Sequence, residues 1–174
     1  GADATARRFQ GAGYAPVRMP LFAIEYLPPP TVSAGGFDAI LLTSGNAARA
    51  ATGFLESAAD TPIYAVGSAT ASALAHLSLP VAATGSNGVE ALVGVAAADG
   101  HKKLLWLAGE DHSAVPQIAG VHIDIAIVYR SAALETPAHF AAQVDVVVFL
   151  RFPALFAAEL QAFLDHVQRD RKST

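Results

Sequence analysis

The chain has 174 residues, of which 53% are hydrophobic and 15% are charged, a composition that excludes a disordered protein and predicts a buried core. Fifteen Asp and Glu residues against eleven Lys and Arg give a formal net charge of −4, which disfavours a nucleic-acid partner. The chain has no cysteine, which excludes disulfides and thiol chemistry and fits a reducing compartment. No apolar run approaches the roughly 18 residues of a membrane span, and the first residues carry no secretory signal. We therefore expect a soluble, cytoplasmic protein with no membrane partner.

The first elements of the chain are a helix and a strand. Residues 2–10 are predicted to form the helix, which Gly11 and Gly13 end. Residues 17–26 are predicted to form the strand, and the proline within it indicates an edge position or a bend. The run Pro28-Pro29-Pro30 then predicts a stiff, extended segment.

Short apolar runs alternate with alanine-rich segments of helical length through the middle of the chain. The predicted strands are residues 38–43, 62–66, 79–83, 103–108, 122–129 and 144–149, and the predicted helices are 47–57, 71–77, 88–98 and 153–168. Ser44 or Asn46 is the expected N-cap of the helix at 47–57. Strands and helices at this spacing predict parallel strands joined by helical crossovers, with helices on both faces of the sheet.

The fold class predicted from these elements is α/β, with two doubly wound, parallel-sheet lobes of the flavodoxin-like type. The first lobe, incomplete in this sequence, consists of residues 1–26 and 127–174. The second, continuous lobe consists of residues 30–125. We expect two extended segments, near residues 22–27 and 125–132, to form a two-stranded connector between the lobes.

Two strand-to-helix turns are the candidate ligand-binding segments. They are Thr43-Ser44-Gly45-Asn46-Ala47 and Val66-Gly67-Ser68-Ala69-Thr70-Ala71. Both are expected at the carboxyl ends of parallel strands, where open α/β sheets bind ligands, and their small residues let backbone N–H groups approach an anion. The alternative interpretation is that both are only helix caps and tight turns. Neither has the spacing of a phosphate-binding loop, a dinucleotide fingerprint or a serine-hydrolase elbow.

The remaining polar groups offer weaker signals. His122 and Asp124 alternate on one predicted strand, and Glu110-Asp111-His112 places three potential metal ligands together, but neither group has the spacing of a metal site. We therefore predict no bound metal and surface roles for these side chains. Trp106 is predicted to lie in the core, whereas Arg7 and Arg8 are predicted to lie on a solvated helix face.

Tyr129 ends a predicted strand within the connector. A phenol at that place is able to reach a cleft between the lobes and donate a proton or a hydrogen bond to a leaving group. A tyrosine that packs at the strand end with its hydroxyl in water is the alternative interpretation.

Five blocks of sequence, in chain order, resemble one family, uroporphyrinogen-III synthase. The blocks are Pro-Leu-Phe-Ala-Ile-Glu at 20–25, the strand and turn at 37–47 that ends in Thr-Ser-Gly-Asn-Ala, Ala-Val-Gly-Ser-Ala-Thr-Ala at 65–71, Leu-Trp-Leu-Ala-Gly-Glu at 105–110 and Ile-Val-Tyr-Arg at 127–130. Each motif is weak alone, but their order and spacing together are fairly specific.

The resemblance implies an enzyme that needs no cofactor. It closes the linear tetrapyrrole hydroxymethylbilane, a polycarboxylate, with loss of water and inversion of the last pyrrole ring, ring D, through a spiro intermediate in haem biosynthesis. By resemblance, Tyr129 has the place of the tyrosine that assists departure of the hydroxyl. The substrate-binding residues expected from the same resemblance are Thr43, Ser44, Gly45, Asn46, Gly67, Ser68, Thr70, Ala71 and Gly109. We also expect a monomer.

The sequence departs from the family at three places. The family normally opens with a strand that ends near Thr-Arg-Pro, and this sequence begins after it. Ala108 stands where the family usually has Arg, and Leu-Arg-Phe-Pro at 150–153 stands where a Ser-Pro turn is expected. These departures leave open a second hypothesis, a non-catalytic α/β ligand-binding or regulatory module derived from the same family.

Overall fold

The computed structural model describes residues 2–85 and 87–135. This part of the chain divides into two compact units. One is Ile24–Ser131, and the other contains residues 2–23 and 132–135. The strand predicted at 144–149 and the helix predicted at 153–168 lie outside the described residues. Within the described residues, no helix is long and apolar enough to cross a membrane.

Six strands and five α-helices make up the described part of the chain. The strands are β1 (Phe22–Tyr26), β2 (Ala39–Leu42), β3 (Ile63–Val66), β4 (Ala83–Gly85), β5 (Lys103–Gly109) and β6 (His122–Ala133). The helices are α1 (Ala2–Gly11), α2 (Gly45–Ala50), α3 (Thr52–Ser57), α4 (Gly67–His76) and α5 (Gly88–Ala98), with a short 3₁₀ turn at Ala34–Gly36.

The strands form one sheet in the order β1-β6-β5-β2-β3-β4. The pairs β2–β3, β2–β5, β3–β4 and β5–β6 are all parallel. β1 runs antiparallel to β6, because Leu27 N–H donates to the Val128 carbonyl while Leu134 N–H donates to the Leu21 carbonyl. The predicted α/β class with a mainly parallel sheet is confirmed.

The strand order differs from the predicted flavodoxin-like one. A flavodoxin-like sheet would place β4 between β2 and β5, whereas here β2 pairs directly with β5 and β4 lies at the edge beyond β3. From β2 the chain therefore adds β3 and β4 on one side of the sheet and then β5 and β6 on the other side. This reversal puts the switch point, the place at which doubly wound sheets bind ligands, between β2 and β5.

Two hydrophobic layers cover the two faces of this sheet. Successive strand residues alternate between them: Ile40 packs into one layer and Leu41 into the other, and both are fully buried. The first layer contains the buried alanines and leucines of α2, α3 and α4, and the second contains the apolar face of α5. Strands buried on both faces explain why the sequence shows continuous apolar runs.

Several element boundaries differ from the prediction. The predicted helix at 47–57 is two helices, α2 and α3, with Ala51 between them at φ −106° and ψ 23°. The Thr52 hydroxyl, which reaches the carbonyls of Ala48 and Arg49, takes up backbone acceptors at this break. α4 begins at Gly67, so the segment predicted to be a turn forms its first helical turn.

Two predicted strands are wrong in position. β4 covers Ala83–Gly85 instead of 79–83, because Leu79 packs into the layer of α2, α3 and α4 and Pro80 has no N–H to pair. β1 begins only at Phe22, after Pro20, instead of at residue 17. In both cases a proline limits the strand, although the apolar pattern continues through it.

Candidate functional site

The candidate residues lie at or just after the carboxyl ends of β3, β2 and β5, in that spatial order, and at the neighbouring position within β6. Leu42 pairs with Ala65 on one side and with Leu107 on the other, and Gly109 pairs with Tyr129. Adjacent strands are about 4.8 Å apart, so the outer members of this row are separated by roughly 15 Å. All of these residues belong to the unit Ile24–Ser131.

The turn after β2 is held by its own side chains. Ser44 is the N-cap of α2, and its hydroxyl oxygen accepts a hydrogen bond from the Asn46 N–H at 3.1 Å. The side-chain oxygen of Asn46, Oδ1, in turn accepts a hydrogen bond from Arg49 Nη2 at 2.6 Å. The capping interpretation of Ser44 is thus confirmed, and its O–H donates to no group of the described residues.

Thr43 has a buried partner behind it. The indole N–H of Trp106, a residue that is buried as predicted, donates to Thr43 Oγ1 at 3.2 Å. Because this bond occupies a lone pair of the hydroxyl, the Thr43 O–H proton is directed to another acceptor. The edge of the Trp106 ring also meets the ring of His112, with centroids 5.2 Å apart. Thr43 and His112 therefore both lie near the switch point between β2 and β5.

The turn after β3 differs from the first because its N-cap residue has no side chain that can cap the helix. Val66 occupies the N-cap position of α4 and makes no capping hydrogen bond, so N–H groups of the first helical turn lack a side-chain partner among the described residues. Gly67 has φ +76°, a conformation that favours glycine and lets the strand turn directly into the helix. Ser68 is exposed and Ala71 is half-buried in this helix.

Thr70 is the buried polar residue of this turn. It is 4% exposed, and no group within residues 2–85 and 87–135 forms a hydrogen bond with its hydroxyl. A buried hydroxyl without a partner costs free energy, about 1–3 kcal/mol in mutational studies, so such a group calls for a bound water or ligand.

The two turns meet at Gly45. A Cβ at this position would lie 3.3 Å from the Ala73 Cβ and 3.6 Å from the Ala69 carbonyl oxygen, both in α4. The same point is 3.5 Å from Arg49 Nη1. Gly45 therefore lets α2 approach α4 closely, and the Arg49 guanidinium lies where the first turns of the two helices come together.

Tyr129 lies against Gly109. A Cβ at position 109 would be 2.5 Å from Tyr129 Cζ and 2.8 Å from its hydroxyl oxygen, so the ring occupies the space above the glycine. The Glu110 N–H donates to the Tyr129 carbonyl at 2.9 Å, which continues the pairing of the two segments. In the described part of the chain, the Tyr129 hydroxyl has no hydrogen-bond partner.

A β-bulge sets the direction of the Tyr129 side chain. Ala108 pairs with Ile127 but Gly109 pairs with Tyr129, so the register shifts by one residue at Val128. Ile127 packs into the layer of α5, whereas Val128 and Tyr129 both pack into the layer of α2, α3 and α4. The bulge thus directs Tyr129 to the face that carries both turns.

Of the other polar groups considered from sequence, His122, Asp124, Arg7 and Arg8 do not join this row. His122 Nε2 lies 2.9 Å from Asp124 Oδ1 in an exposed pair at the start of β6. Among residues 2–85 and 87–135, no cluster of three or more His, Asp or Glu side chains is arranged to hold a metal ion. Arg7 and Arg8 lie on α1, in the other unit.

Among residues 2–85 and 87–135, three groups have shifted pKa values, and all lie outside the candidate site. Hydrogen bonds from the Lys102 and Lys103 backbone N–H groups lower the pKa of Asp38. Burial and a hydrogen bond to Asp99 raise the pKa of Tyr64 to about 12. Hydrogen bonding to Glu25 raises the pKa of Arg130. Asp38 lies at the amino end of the sheet, and Arg130 lies at its β1–β6 edge.

A shallow groove of about 400 Å³ contains none of the candidate residues; it is lined by Pro29, Pro30, Ala50, Ala51, Gly53 and Phe54. The candidate site is instead an open row of hydroxyls, backbone N–H groups and one guanidinium. Such a row is suited to several anionic groups spread along a large ligand. Sequence reasoning missed Arg49, although its position three residues after Asn46 on a helix is a signal for a side-chain pair.

Comparison with known families and structures gives three results. The family model described as uroporphyrinogen-III synthase HemD matches residues 3–150. Uroporphyrinogen-III synthetase from Helicobacter pylori has a similar structure, with a TM-score of 0.55 and 20% identity over 84% of this chain and 70% of that one. A mutant uroporphyrinogen III synthase from Thermus thermophilus is similar at a TM-score of 0.50 and 21% identity, over 75% of this chain and 58% of that one. Among curated protein sequences, the comparison finds no match.

The two solved structures share the mixed α/β fold and its mainly parallel sheet. The family match extends over most of the sequence and includes both turns, Gly109 and Tyr129. The resemblance stated from the motifs is therefore confirmed. The chain belongs to the uroporphyrinogen-III synthase family, whose members are cyclising lyases of haem biosynthesis.

Proposed function

We propose that this chain cyclises hydroxymethylbilane to uroporphyrinogen III, with loss of water and inversion of ring D, at the carboxyl ends of β3, β2 and β5 and the adjacent Tyr129 of β6. The observation that carries the proposal is the placement of both turns, Gly109 and Tyr129 in one row within one unit. A linear tetrapyrrole bears carboxylates along its whole length, so an open row of anion donors suits it better than a compact pocket.

The first turn of α4 is proposed to hold one carboxylate. Its N–H groups have no side-chain cap, and the buried Thr70 hydroxyl has no partner in the described part of the chain. A carboxylate at this position would accept hydrogen bonds from these groups and would benefit from the positive end of a ten-residue helix. Gly67, Ser68 and Ala71 complete this part of the proposed site.

Residues after β2 are proposed to hold a second part of the substrate. The Thr43 oxygen accepts a hydrogen bond from Trp106 and the Ser44 oxygen accepts one from the Asn46 N–H, and neither hydroxyl donates to a group of the described residues. Both O–H groups are therefore proposed to donate to the substrate. Gly45 lets α4 approach this turn without steric conflict. Asn46 contributes through its interaction with Arg49.

Tyr129 is proposed to assist the departure of the hydroxyl group. Its phenol donates a proton to the leaving oxygen as the C–O bond breaks, so water leaves and a cationic, N-protonated azafulvene remains. The substituted carbon of ring D then attacks the methylene carbon of this group, which gives the spiro intermediate. The bond between that ring D carbon and the methylene bridge to ring C breaks, and the bridge bonds to the unsubstituted α-carbon of ring D, so that ring D is inverted and the macrocycle is closed. The proton lost when ring D regains its aromatic form restores the phenol. The absence of a competing hydrogen bond at the hydroxyl supports this role.

Much of the catalytic task is geometric, because hydroxymethylbilane also closes without an enzyme to the type I isomer. The enzyme must hold the azafulvene so that the substituted carbon of ring D is the one that reacts. Carboxylate contacts on both sides of the switch point restrict the conformations of the chain. We propose that the reaction needs no cofactor.

The organisation of the protein is part of the same proposal. We propose two lobes, residues 1–26 with 127–174 and residues 30–125. The division of the chain into two compact units inside β1 and β6 supports a two-part organisation, with residues 24–26 and 127–131 in the same unit as the second lobe. We further propose a cytoplasmic monomer without a nucleic-acid partner, which the lack of cysteine and the net charge of −4 support. Light scattering of the purified protein tests the monomer.

An isomer assay tests the proposed function. Hydroxymethylbilane is generated enzymatically in the presence of the protein, and the products are oxidised to porphyrins and separated by isomer. The type III isomer is expected, in an amount that increases with protein concentration. If only the type I isomer forms, the non-catalytic module becomes the better interpretation, although the family and structural matches do not favour it.

A further inference from the structure

We infer that Arg49 binds a carboxylate of the substrate where the first turns of α2 and α4 meet, and that Asn46 is the positioning residue that orients its guanidinium. This inference rests on the proposed function and deepens it by assigning a charged contact that neither the motifs nor the resemblance identified. It gives Asn46 an indirect role in place of the direct contact expected from the sequence.

The geometry fixes the guanidinium at the carboxyl edge of the sheet. Arg49 lies in the last turn of α2, yet its side chain folds back to the first turn, where Nη2 donates to Asn46 Oδ1 at 2.6 Å. Nη1 lies 3.5 Å from the position that a Gly45 Cβ would occupy, a point that also lies 3.6 Å from the Ala69 carbonyl. The charge is therefore next to the residues proposed to hold substrate.

Within the unit Ile24–Ser131, Arg49 is also the one Lys or Arg side chain available at this edge. The unit Ile24–Ser131 has three other Lys and Arg side chains. Lys102 and Lys103 lie at the amino end of β5, and Arg130 is paired with Glu25 at 2.7 Å. No carboxylate of the described residues pairs with Arg49. In a protein of net charge −4, this guanidinium supplies the positive charge that a polycarboxylate needs.

The chemistry of the side chain suits this role. A guanidinium has five N–H donors in a plane and binds carboxylates through two parallel hydrogen bonds. Asn46 uses one of these donors and leaves the others free for a ligand. An amide oxygen orients the group without neutralising its charge, whereas a carboxylate at position 46 would compete with the substrate.

The experiment measures KM and kcat for enzymatically generated hydroxymethylbilane. Arg49→Gln is expected to raise KM about tenfold to hundredfold with little change in kcat, because a charge-assisted hydrogen bond is lost from both ground and transition states. Arg49→Lys keeps the positive charge but not the planar arrangement of donors, so its KM is expected to lie between those of Arg49→Gln and the wild type. Lys102→Gln removes the same charge at the opposite end of the sheet and serves as the control, with KM unchanged.

Two further measurements separate recognition from a structural effect. The KM difference between Arg49→Gln and the wild type is expected to shrink as salt is added, because screening weakens the contact of an exposed guanidinium. Asn46→Ala is expected to raise KM less than Arg49→Gln does, and to have no added effect in the Arg49→Gln background. Additive effects would contradict the positioning role of Asn46.

The outcomes distinguish the two proposals. A wild-type protein that forms the type III isomer, with Arg49→Gln at wild-type KM, would overturn the inference on Arg49 alone. A wild-type protein that yields only the type I isomer would overturn the proposed function and this inference with it. An equal rise of KM in Lys102→Gln would show that net charge, not the place of Arg49, decides binding.

Discussion

The Tyr129 ring occupies the space into which any side chain at Gly109 would project, with Cζ only 2.5 Å from the position of an added Cβ. Gly109→Ala must therefore displace the ring. We expect a loss of about 1–3 kcal/mol in the free energy of unfolding, together with a fall in kcat. Urea denaturation and the isomer assay measure the two effects. Gly94→Ala in α5, where an added Cβ meets nothing within 4 Å, is the control and is expected to be neutral or stabilising.

Removing the hydroxyl of Tyr129 is expected to slow catalysis without changing the fold. Tyr129→Phe keeps the ring over Gly109 and removes a group that has no hydrogen-bond partner in the described part of the chain, so stability should be unchanged. If the phenol donates a proton to the leaving hydroxyl, kcat should fall about 10²–10⁴-fold. Tyr26→Phe, at an exposed site on β1, is the matched control. An unchanged kcat in Tyr129→Phe would remove this residue from the mechanism.

The central strands and the location of the two turns could be predicted from sequence because their signals are local. β2 is an uninterrupted apolar run followed by Ser-Gly-Asn, a pattern that indicates both a buried parallel strand and its end. The error at β4 is also local in origin. Leu79 and Val81 continue an apolar pattern, but they pack under the helices of the first layer instead of extending the sheet.

The arrangement of the site depends on contacts between segments far apart in the sequence. The strand order, with β2 paired to β5, is decided by side-chain packing over both faces and has no local signal. The bulge at Val128 turns Tyr129 to the face of the turns, whereas strict alternation would turn it to the face of Ile127. Similarly, the bond from Trp106 to Thr43 joins a core residue to the site.

Alkaline pH is expected to destabilise the fold through Tyr64. Burial and the hydrogen bond to Asp99 raise the pKa of Tyr64 from 10.0 to about 12. The neutral phenol is thus favoured in the folded chain. Its contribution to the stability of the fold is fully present below pH 10 and is lost as the pH rises towards about 12. At pH 8, Tyr64→Phe should lower the free energy of unfolding by about 1–2 kcal/mol. In this variant the free energy of unfolding should also fall less between these two pH values than it does in the wild type. Urea denaturation across this range measures both, and an unchanged decline would contradict the assignment.

Acidic pH is expected to lower the stability of the fold through Asp38. Backbone hydrogen bonds from Lys102 and Lys103 lower its pKa below the ordinary value of 3.8. Its contribution to stability is therefore present above that value and is lost as the pH falls through the lower pKa of the folded state. Asp38→Asn should reduce the Tm at pH 7 and leave a smaller difference at pH 3. Asp60→Asn, at an exposed site after α3, is the control and should leave the Tm unchanged at both pH values.

Thr70 yields a prediction in which stability and binding change in opposite directions. Its hydroxyl is buried and has no partner among the described residues, so Thr70→Val should leave the free protein as stable as the wild type, or about 1 kcal/mol more stable. If the hydroxyl donates to a substrate carboxylate, the same variant should raise KM about tenfold.

Thr52→Val is the matched control, because the Thr52 hydroxyl already donates to the backbone of α2. This variant should lose about 1 kcal/mol of stability and keep the wild-type KM. Thermal unfolding and steady-state kinetics on the two valine variants measure both quantities. A loss of stability in Thr70→Val with no change in KM would mean that the hydroxyl stabilises the fold and does not bind the substrate. A hydroxyl whose only partner is the substrate does not stabilise the free protein.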